Sequence, residues 1–423
     1  MDYIIYTLDY VQNIEHNTYL FNGLIAMHQI LSGIRVLELG QLIAGPFAAK
    51  TLADFGAEII KVESPQDGDP LRKWRMIHEG TSVWWQAQSR NKQSICIDLR
   101  LKEGQDIVRR LAKEADVLIE NFRPGTMEKW GMGWDELHQL NPKLIMLRIS
   151  GYGQDGPRRD EPGFAAIAEA TAGLRYLTGH PGDVPARAGL SLGDTIAGLH
   201  GALGVLLALY ERDARGGKGQ MIDVALYEAV FNLTESLLPE YHVFGAVRQP
   251  AGGALPGIAP SNAYPCADGQ YILIAANGDS LFKRLMEFIG RSDLAHDPDL
   301  ARNDGRAKRA EEIDQIIGQW TQTQSIDQVL NALQEIAVPA GRIYTAKDIA
   351  EDPHYRARGV IETIESANGL KVEMPGIIPK LSNNPGAIRH RAPTLGEHTQ
   401  TILQSIGLSE EQIKALKEAG VLN

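Results

Sequence analysis

Asp194 is the carboxylate in this sequence best placed for chemistry. It closes a polar, glycine-broken approach (Gly189, Ser191, Gly193), and from Thr195 an apolar run rich in Ala, Gly and Leu continues to Glu211 and Arg212. That pattern predicts a loop followed by a helix, with Asp194 at the junction. Two chemistries fit. Aspartate is a preferred helix N-cap, because its carboxylate accepts the first free N–H groups. A carboxylate at a helix N-terminus is also held as an anion and can attack an acyl carbon. Local residue types leave both open. Ala197, Gly198, Gly201, Ala202 and Gly204 follow at spacings of three and four, which predicts a flat helix face that another backbone or a ligand can approach.

The elements that must position this residue follow the chain in order. Ile34–Leu39 reads as a strand ending at Gly40, Ala44–Ala57 as a helix with Pro46 in its first turn, and Glu58–Ser64 as a second strand. The first turn has Gly40 and Gly45 but no GxGxxG, so no dinucleotide fingerprint is present. Further strands are expected at Gln93–Leu99, Asp116–Phe122 and Lys143–Ile149, separated by helices at Glu103–Ala115 and Met127–Gln139. This alternation predicts an α/β domain with a largely parallel sheet. Ligands in such sheets lie beyond the carboxyl ends of the strands, so Gly40–Gly45, the stretch from Ser64 and Asn121–Gly125 should converge on one crevice. Ala251–Pro265, heavy in Gly, Pro and Ala, marks a boundary. A strand at Gln270–Ala276 and helices at Ser280–Ile289, Ala310–Thr321 and Ser325–Glu335 then form a smaller α/β domain. The division expected is an extension over 1–30, a large domain over 31–235, a linker over 236–265, a small domain over 266–345, and a return to the large domain over 346–423.

The 423 residues are too many for one ordinary core. A hydrophobic content of 43% and a charged content of 22% are those of a soluble globular chain. The net charge of −11 argues against nucleic acid or an anionic membrane as the main partner, though not against a local basic pocket. Cys96 and Cys266 follow no metal spacing and imply a reduced, cytoplasmic protein without disulfides. No run reads as long and apolar enough to span a membrane, Leu199–Tyr210 coming nearest. Residues 1–26 lack the features of a secretion signal and are expected to be dispensable.

Eight short stretches together resemble the class III coenzyme A-transferases, the CaiB/BaiF or formyl-CoA transferase family. They are LSGIRVLELG, AGPFAAKTLADFGAEIIKVE, RNKQSICIDL, ADVLIENFRPG, LGDTIAGLHGALGVLLAL, GKGQMIDVALYEA, DPHYRARG and APTLGEHT, in that order from about Leu31 to the C-terminus. The resemblance implies a Rossmann-like large domain built from the N-terminal half and the C-terminal tail, a smaller domain between them, and an interlocked homodimer. It implies Asp194 as the nucleophile, passing through an acyl anhydride and an aspartyl-CoA thioester, with no metal and no permanently bound cofactor. Acyl-CoA and a small carboxylic acid are then the substrates.

CoA phosphates need local cations. The candidates are Arg72, Lys73, Arg75, Arg90, Lys92, Arg123 and Lys129, each of which reads equally as solvated surface. By motif match the expected CoA residues are Ile43 and Ala44 at the thiol arm, then Arg90, Asn91, Lys92, Asn121, Phe122, Arg123 and Lys129. Two departures from formyl-CoA transferase stand out. Ile43 replaces its Gln before the AGP triplet, and AGGALPG (Ala251–Gly257) replaces its all-glycine loop, leaving Gly252, Gly253 and Gly257. Both argue against formate and oxalate and for a larger acyl group. Arg187, seven residues before Asp194, fits two roles equally: pairing with the distal carboxylate of a dicarboxylic acid such as that of succinyl-CoA, or holding its own loop.

The family also includes α-methylacyl-CoA racemase, which needs an acid–base pair. Its histidine, thirty residues before the aspartate, is Phe164 here, and Phe cannot carry a proton. His180 and His200 are not at that offset, and His398 reads as tail packing. Transferase is therefore favoured over racemase, and over an inactive CoA-binding relative because Asp194 and the LGEHT tail are intact.

Overall fold

The computed structural model describes residues 29–423, so the expectation for residues 1–26 lies outside the described residues. The chain forms two compact units. The first takes the described part of Met1–Ala165 together with Gly193–Ala229 and Val360–Asn423. The second takes Ala166–Leu192 and Val230–Gly359.

The first unit is built on six parallel strands: β1 (Arg35–Glu38), β2 (Glu58–Glu63), β5 (Lys92–Cys96), β6 (Val117–Glu120), β7 (Ile145–Ser150) and β8 (Met221–Ala225). Two-residue strands β3 (Ile77–His78) and β4 (Thr81–Ser82) form a separate hairpin. The sheet order is β5-β2-β1-β6-β7-β8. The chain winds outward from β1 in one direction and then returns to β6 and winds in the other. Register is set by pairs such as Val36↔Ile59 and Val36↔Val117. Strands β6 and β7 are buried at every position, which is why both read as mainly apolar, with Glu120 and Arg148 paired to each other inside the sheet.

The amphipathic helix Lys102–Glu114 buries Ile107, Val108, Leu111 and Ala112 against the sheet. The C-terminal helices Thr399–Ser405 and Glu410–Glu418 carry Ile402, Leu403 and Ile413 into the same core as Leu37 and Leu118. Hairpin β12 (Ile361–Glu365) and β13 (Lys371–Pro375) precedes them. The helix expected over Met127–Gln139 is broken into Thr126–Lys129 and Trp134–Leu140, because Gly131 turns left-handed (φ 62°) and Gly133 starts the second piece.

The second unit packs a three-stranded antiparallel sheet, β9 (Ser261–Pro265), β10 (Tyr271–Ala275) and β11 (Ala340–Arg342) in the order β11-β10-β9, against helices Asp279–Phe288, Ala310–Thr321 and Ile326–Glu335. Two boundaries differ from those read in the sequence. Residues 166–192 belong with the second unit, tied there by Gly252 N–H donating to Gly179 O (2.9 Å). The stretch 236–265 is not a bare linker: it holds helix Leu237–Phe244 and edge strand β9, whose Pro265 is tolerated at an edge.

The helix Leu192–Arg215 is longer than its apolar run suggested. By length and composition it could cross a membrane, contrary to the reading above. Its small-residue side instead packs inside the first unit, as described next.

Candidate active site

The strand order reverses between β1 and β6, and the turn after β1 lies at that switch point. Gly40 and Gly45 pack their Cα atoms against each other and against Asn121, so a Cβ on Gly40 would stand 3.2 Å from Asn121 Oδ1 and 3.3 Å from Gly45 Cα. Asn121 fastens the turn from β6. Its Oδ1 accepts from Gln41 N–H (2.8 Å) and its Nδ2 donates to Gln41 O (2.9 Å). Glu120, just before it, accepts from Phe122 N–H (2.7 Å) and from Arg148 Nε (2.7 Å). Burial pushes its carboxyl up to about 7 against the pull of Arg148.

Below the turn lies a chain of buried charges. Lys61, fully buried on β2, donates to Glu38 Oε1 (2.9 Å) and Gly40 O (2.9 Å) and pairs with Asp69 at 2.8 Å. Lys92 donates to Pro46 O (2.8 Å), and its Nζ stands 2.8 Å from Glu38 Oε2. Burial opposes the Lys61 charge, but Asp69, Glu38 and Glu63 outweigh it and hold the ammonium above its ordinary range. Burial likewise opposes ionisation of Asp69, and Lys61 outweighs it and holds the carboxyl low. Asp69 accepts from Leu42 N–H with both oxygens (3.1 and 3.2 Å). Gln88 Nε2 donates to Ile43 O (3.1 Å). The helix that follows starts at Ala44 and ends at Asp54, its first-turn N–H groups lacking intrahelical acceptors.

Asp194 lies on helix Leu192–Arg215, in its first turn rather than at the cap, because the helix begins two residues earlier than the apolar run. The small residues behave as expected. A Cβ on Gly198 would stand 2.8 Å from Ala44 O and 3.2 Å from Phe47 Cβ. One on Gly201 would meet Leu147, and one on Gly204 would meet Ile222. The helix therefore crosses from β8 and β7 to the head of the Ala44–Asp54 helix. Asp194 is four residues before Gly198 on the same face, one turn of about 5 Å from that close approach. It is half-buried.

The expected crevice is present within this unit. A cleft of about 240 Å³ opens at the carboxyl ends of β1, β2, β5 and β6, walled by Gln41, Ser64, Leu99, Arg100, Phe122 and Trp130. Phe122 and Trp130 meet edge to face, centroids 5.3 Å apart. Arg123 and Lys129, on the loop and short helix after β6, are exposed and form no ion pair among the described residues. Arg100 was not singled out from sequence, although its place just past a predicted strand end marks it. It is exposed and bonded to Asp98 (2.6 Å).

Arg90, Asn91 and Lys92, expected at the CoA site, are all buried. Arg90 is buried and grips Asp54 through Nε and NH2 (3.0 and 2.7 Å) and Pro375 O through NH1 (2.7 Å). Asn91, buried at φ 61°, accepts from Arg389 and His390 N–H (2.6 and 3.0 Å). With Lys92 held by Glu38, all three side chains have protein partners inside the first unit. Arg72 is likewise bound to Glu63 (2.7 Å) and stacked on Trp85.

Arg187, Gly252, Gly253 and Gly257 all belong to the second unit. Arg187 Nε stands 3.6 Å from buried Glu169. Gly252 is left-handed (φ 64°) and a Cβ there would strike His180 at 2.5 Å, so this glycine is required by the loop itself. His200 bonds back to Ile196 O (3.0 Å), and His398 Nδ1 accepts from Ser94 N–H (3.2 Å), anchoring the tail. Phe164 is exposed. Among the described residues no group of His, Cys, Asp and Glu could hold a metal ion.

Known proteins agree with this architecture. The model of CoA-transferase family III matches residues 31–399. Succinyl-CoA–D-citramalate CoA-transferase of Chloroflexus aurantiacus is 47% identical over 394 residues, covering 93% of this chain and 98% of that one. The alpha subunit of succinyl-CoA–L-malate CoA-transferase from Chloroflexus aurantiacus is 41% identical over 398 residues, covering 93% of this chain and 92% of the relative. A crystal structure of a CAIB/BAIF family protein from Brucella suis superposes with a TM-score of 0.79 at 35% identity, covering 89% of this chain and 99% of that one. The chain belongs to CoA-transferase family III and is a class III CoA-transferase.

Proposed function

We propose that this transferase moves CoA from a dicarboxylyl donor, succinyl-CoA being the first choice, to a small carboxylic acid, with Asp194 as the nucleophile. The observation that supports the reading is the Gly198–Ala44 approach, which brings the helix carrying Asp194, one turn before Gly198, against the head of the Ala44–Asp54 helix. The Asp194 carboxylate attacks the donor carbonyl carbon, the C–S bond breaks, and CoA leaves as thiolate. The thiolate attacks the aspartyl carbonyl of the mixed anhydride, releasing the donor acid and leaving an aspartyl-CoA thioester. The acceptor carboxylate attacks that thioester and expels the thiolate. The thiolate then attacks the acceptor carbonyl, giving the new acyl-CoA and regenerating the Asp194 carboxylate. No proton is gained or lost, so no general base is needed. The helix N-terminus serves the transient oxyanions, where an oriented N–H counts for most.

CoA lies with its nucleotide in the cleft beside Phe122 and Trp130, its phosphates met by Arg100, Arg123 and Lys129, and its thiol arm along Ile43 and Ala44. Succinyl as the donor group is supported by the activities of the relatives and by the less polar Ile43. Within the second unit, buried Glu169 sets the orientation of the Arg187 guanidinium, a group suited to a carboxylate. The active form is an interlocked homodimer. Leu199, Leu203, Leu207 and Tyr210 form an exposed apolar stripe on the central helix, which a second copy would cover. The proton-transfer chemistry of a racemase has no base at Phe164.

A panel of free acids offered with succinyl-CoA, read by mass spectrometry of the thioester products, tests the substrate class. Transfer to dicarboxylates is expected, and its loss in Asp194→Ala. A variant without Asp194 that still transfers CoA would rule the mechanism out.

A further inference from the structure

We infer that Asp69 is a positioning residue for this reaction: it holds Leu42 in a left-handed backbone conformation and so sets the direction of the N–H groups at the head of the Ala44–Asp54 helix beside Asp194. The inference rests on the reaction proposed above and assigns a role to a residue outside the eight stretches that carry the family resemblance.

The turn Gly40–Pro46 is held at five places by side chains from separate segments. Gly40 O accepts from Lys61, Gln41 N–H and O are both taken by Asn121, Leu42 N–H goes to Asp69, Ile43 O accepts from Gln88, and Pro46 O accepts from Lys92. Four of these places are backbone that other residues could adopt. The fifth is different. Leu42 has φ 63°, a region a branched side chain avoids. Strain of that kind persists only where the surroundings over-determine it, and it gathers at functional sites. Asp69 supplies the determination, its two oxygens both on Leu42 N–H. Its own aim is fixed twice, by Lys61 Nζ at 2.8 Å and by Leu71 N–H at 2.8 Å. Glu38, shared between Lys61 and Lys92, closes the chain under the turn. If Leu42 relaxes to negative φ, Ile43 and Ala44 rotate with it, and the helix head no longer faces the carbonyl that Asp194 attacks.

Asp69→Asn keeps the shape and removes the charge. Its one carbonyl oxygen must choose between Lys61 and Leu42, and the ammonium takes it, which turns the amide NH₂ toward the Leu42 N–H. Leu42→Gly removes the cost of the left-handed turn. The experiment measures the rate of CoA adduct formation on the protein from succinyl-CoA by rapid-quench intact mass, alongside free-CoA affinity by calorimetry. Asp69→Asn should slow the covalent step about tenfold or more, short of the loss of a whole oxyanion donor, while CoA affinity changes less than about threefold. Adding Leu42→Gly should restore most of the rate. An unaltered rate in Asp69→Asn overturns the inference, as does a slowed rate that Leu42→Gly leaves slow. Should Asp69→Asn not fold, Leu42→Val leaves the ion chain intact and cannot keep φ near 63°. It should slow the same step about tenfold, and an unaltered rate would again overturn the inference. Absence of any adduct in the wild-type protein would remove the underlying reaction instead, a result separable from either.

Discussion

Replacing Gly198 by Ala tests whether the helix contact places Asp194. The added Cβ would lie 2.8 Å from Ala44 O, where ordinary contact begins at 3.4 Å, a shortfall of about 0.6 Å. The obstructing atom is a backbone carbonyl in a helix turn anchored by Gln88 and Lys92, so it cannot swing aside. Two stability terms oppose each other. Alanine gains about 1 kcal/mol of helix propensity over glycine, and overpacking costs about 1–3 kcal/mol. The net is a loss of up to about 2 kcal/mol, or a few degrees in Tm for a chain of this size. The catalytic effect is larger in proportion. A misplacement of about 1 Å costs about a hundredfold in rate, so half of that should cost about tenfold. The assay is single-turnover loss of succinyl-CoA at saturating enzyme, with thermal unfolding on the same sample. Gly204→Ala is the control, since its Cβ meets only the Ile222 side chain, Cγ2 at 2.9 Å, farther along the helix. Its rate should match wild type. A Gly198→Ala protein with the wild-type single-turnover rate would refute the placement of Asp194 by this contact.

Other consequences follow from the same geometry. Arg100→Ala, Arg123→Ala and Lys129→Ala should each raise KM for acyl-CoA and leave kcat nearly unchanged, with the difference shrinking at high salt. Arg90→Ala should do the opposite, leaving KM intact while unfolding measurements show a loss of about 3 kcal/mol, because buried Asp54 loses its bidentate partner and keeps only Lys50 at 3.7 Å and the Asn91 amide at 3.2 Å. Glu397 carries a pH dependence. Burial alone would raise its carboxyl, but Arg391 and the Thr394 N–H and hydroxyl outweigh it and hold it at about 2, below the ordinary 4.5. Its contribution is therefore present above pH 4.5 and is lost as pH falls toward 2, so Glu397→Gln should flatten the acid limb of the unfolding curve.

Much of the large sheet was legible because parallel strands buried on both faces leave short apolar runs with little else in them, as in Val117–Glu120 and Ile145–Ser150. The small-residue spacing after Asp194 was legible for the same reason, since close helix approach admits few residue types. Burial of charge was not. Arg90 and Lys92 look like surface in sequence, and their partners Asp54 and Glu38 are far away along the chain. Asp69 was passed over for a related reason: its bond to Leu42 depends on a left-handed turn that a leucine does not advertise. Residues 166–192 were read with the large domain because their ties run to Gln249 and Gly252 in the second unit, contacts with no local signature. Arg100, by contrast, could have been read from its place just past a strand end.

In the proposed route Asp194 carries the acyl group and then CoA. In that route one oxygen of the acceptor carboxylate bridges to the aspartyl carbon, and the later C–O cleavage leaves it on the protein. Turnover with an oxygen-18-labelled acceptor acid, followed by peptide mapping, should place oxygen-18 on Asp194. A fully active enzyme whose Asp194 peptide stays unlabelled would contradict the account.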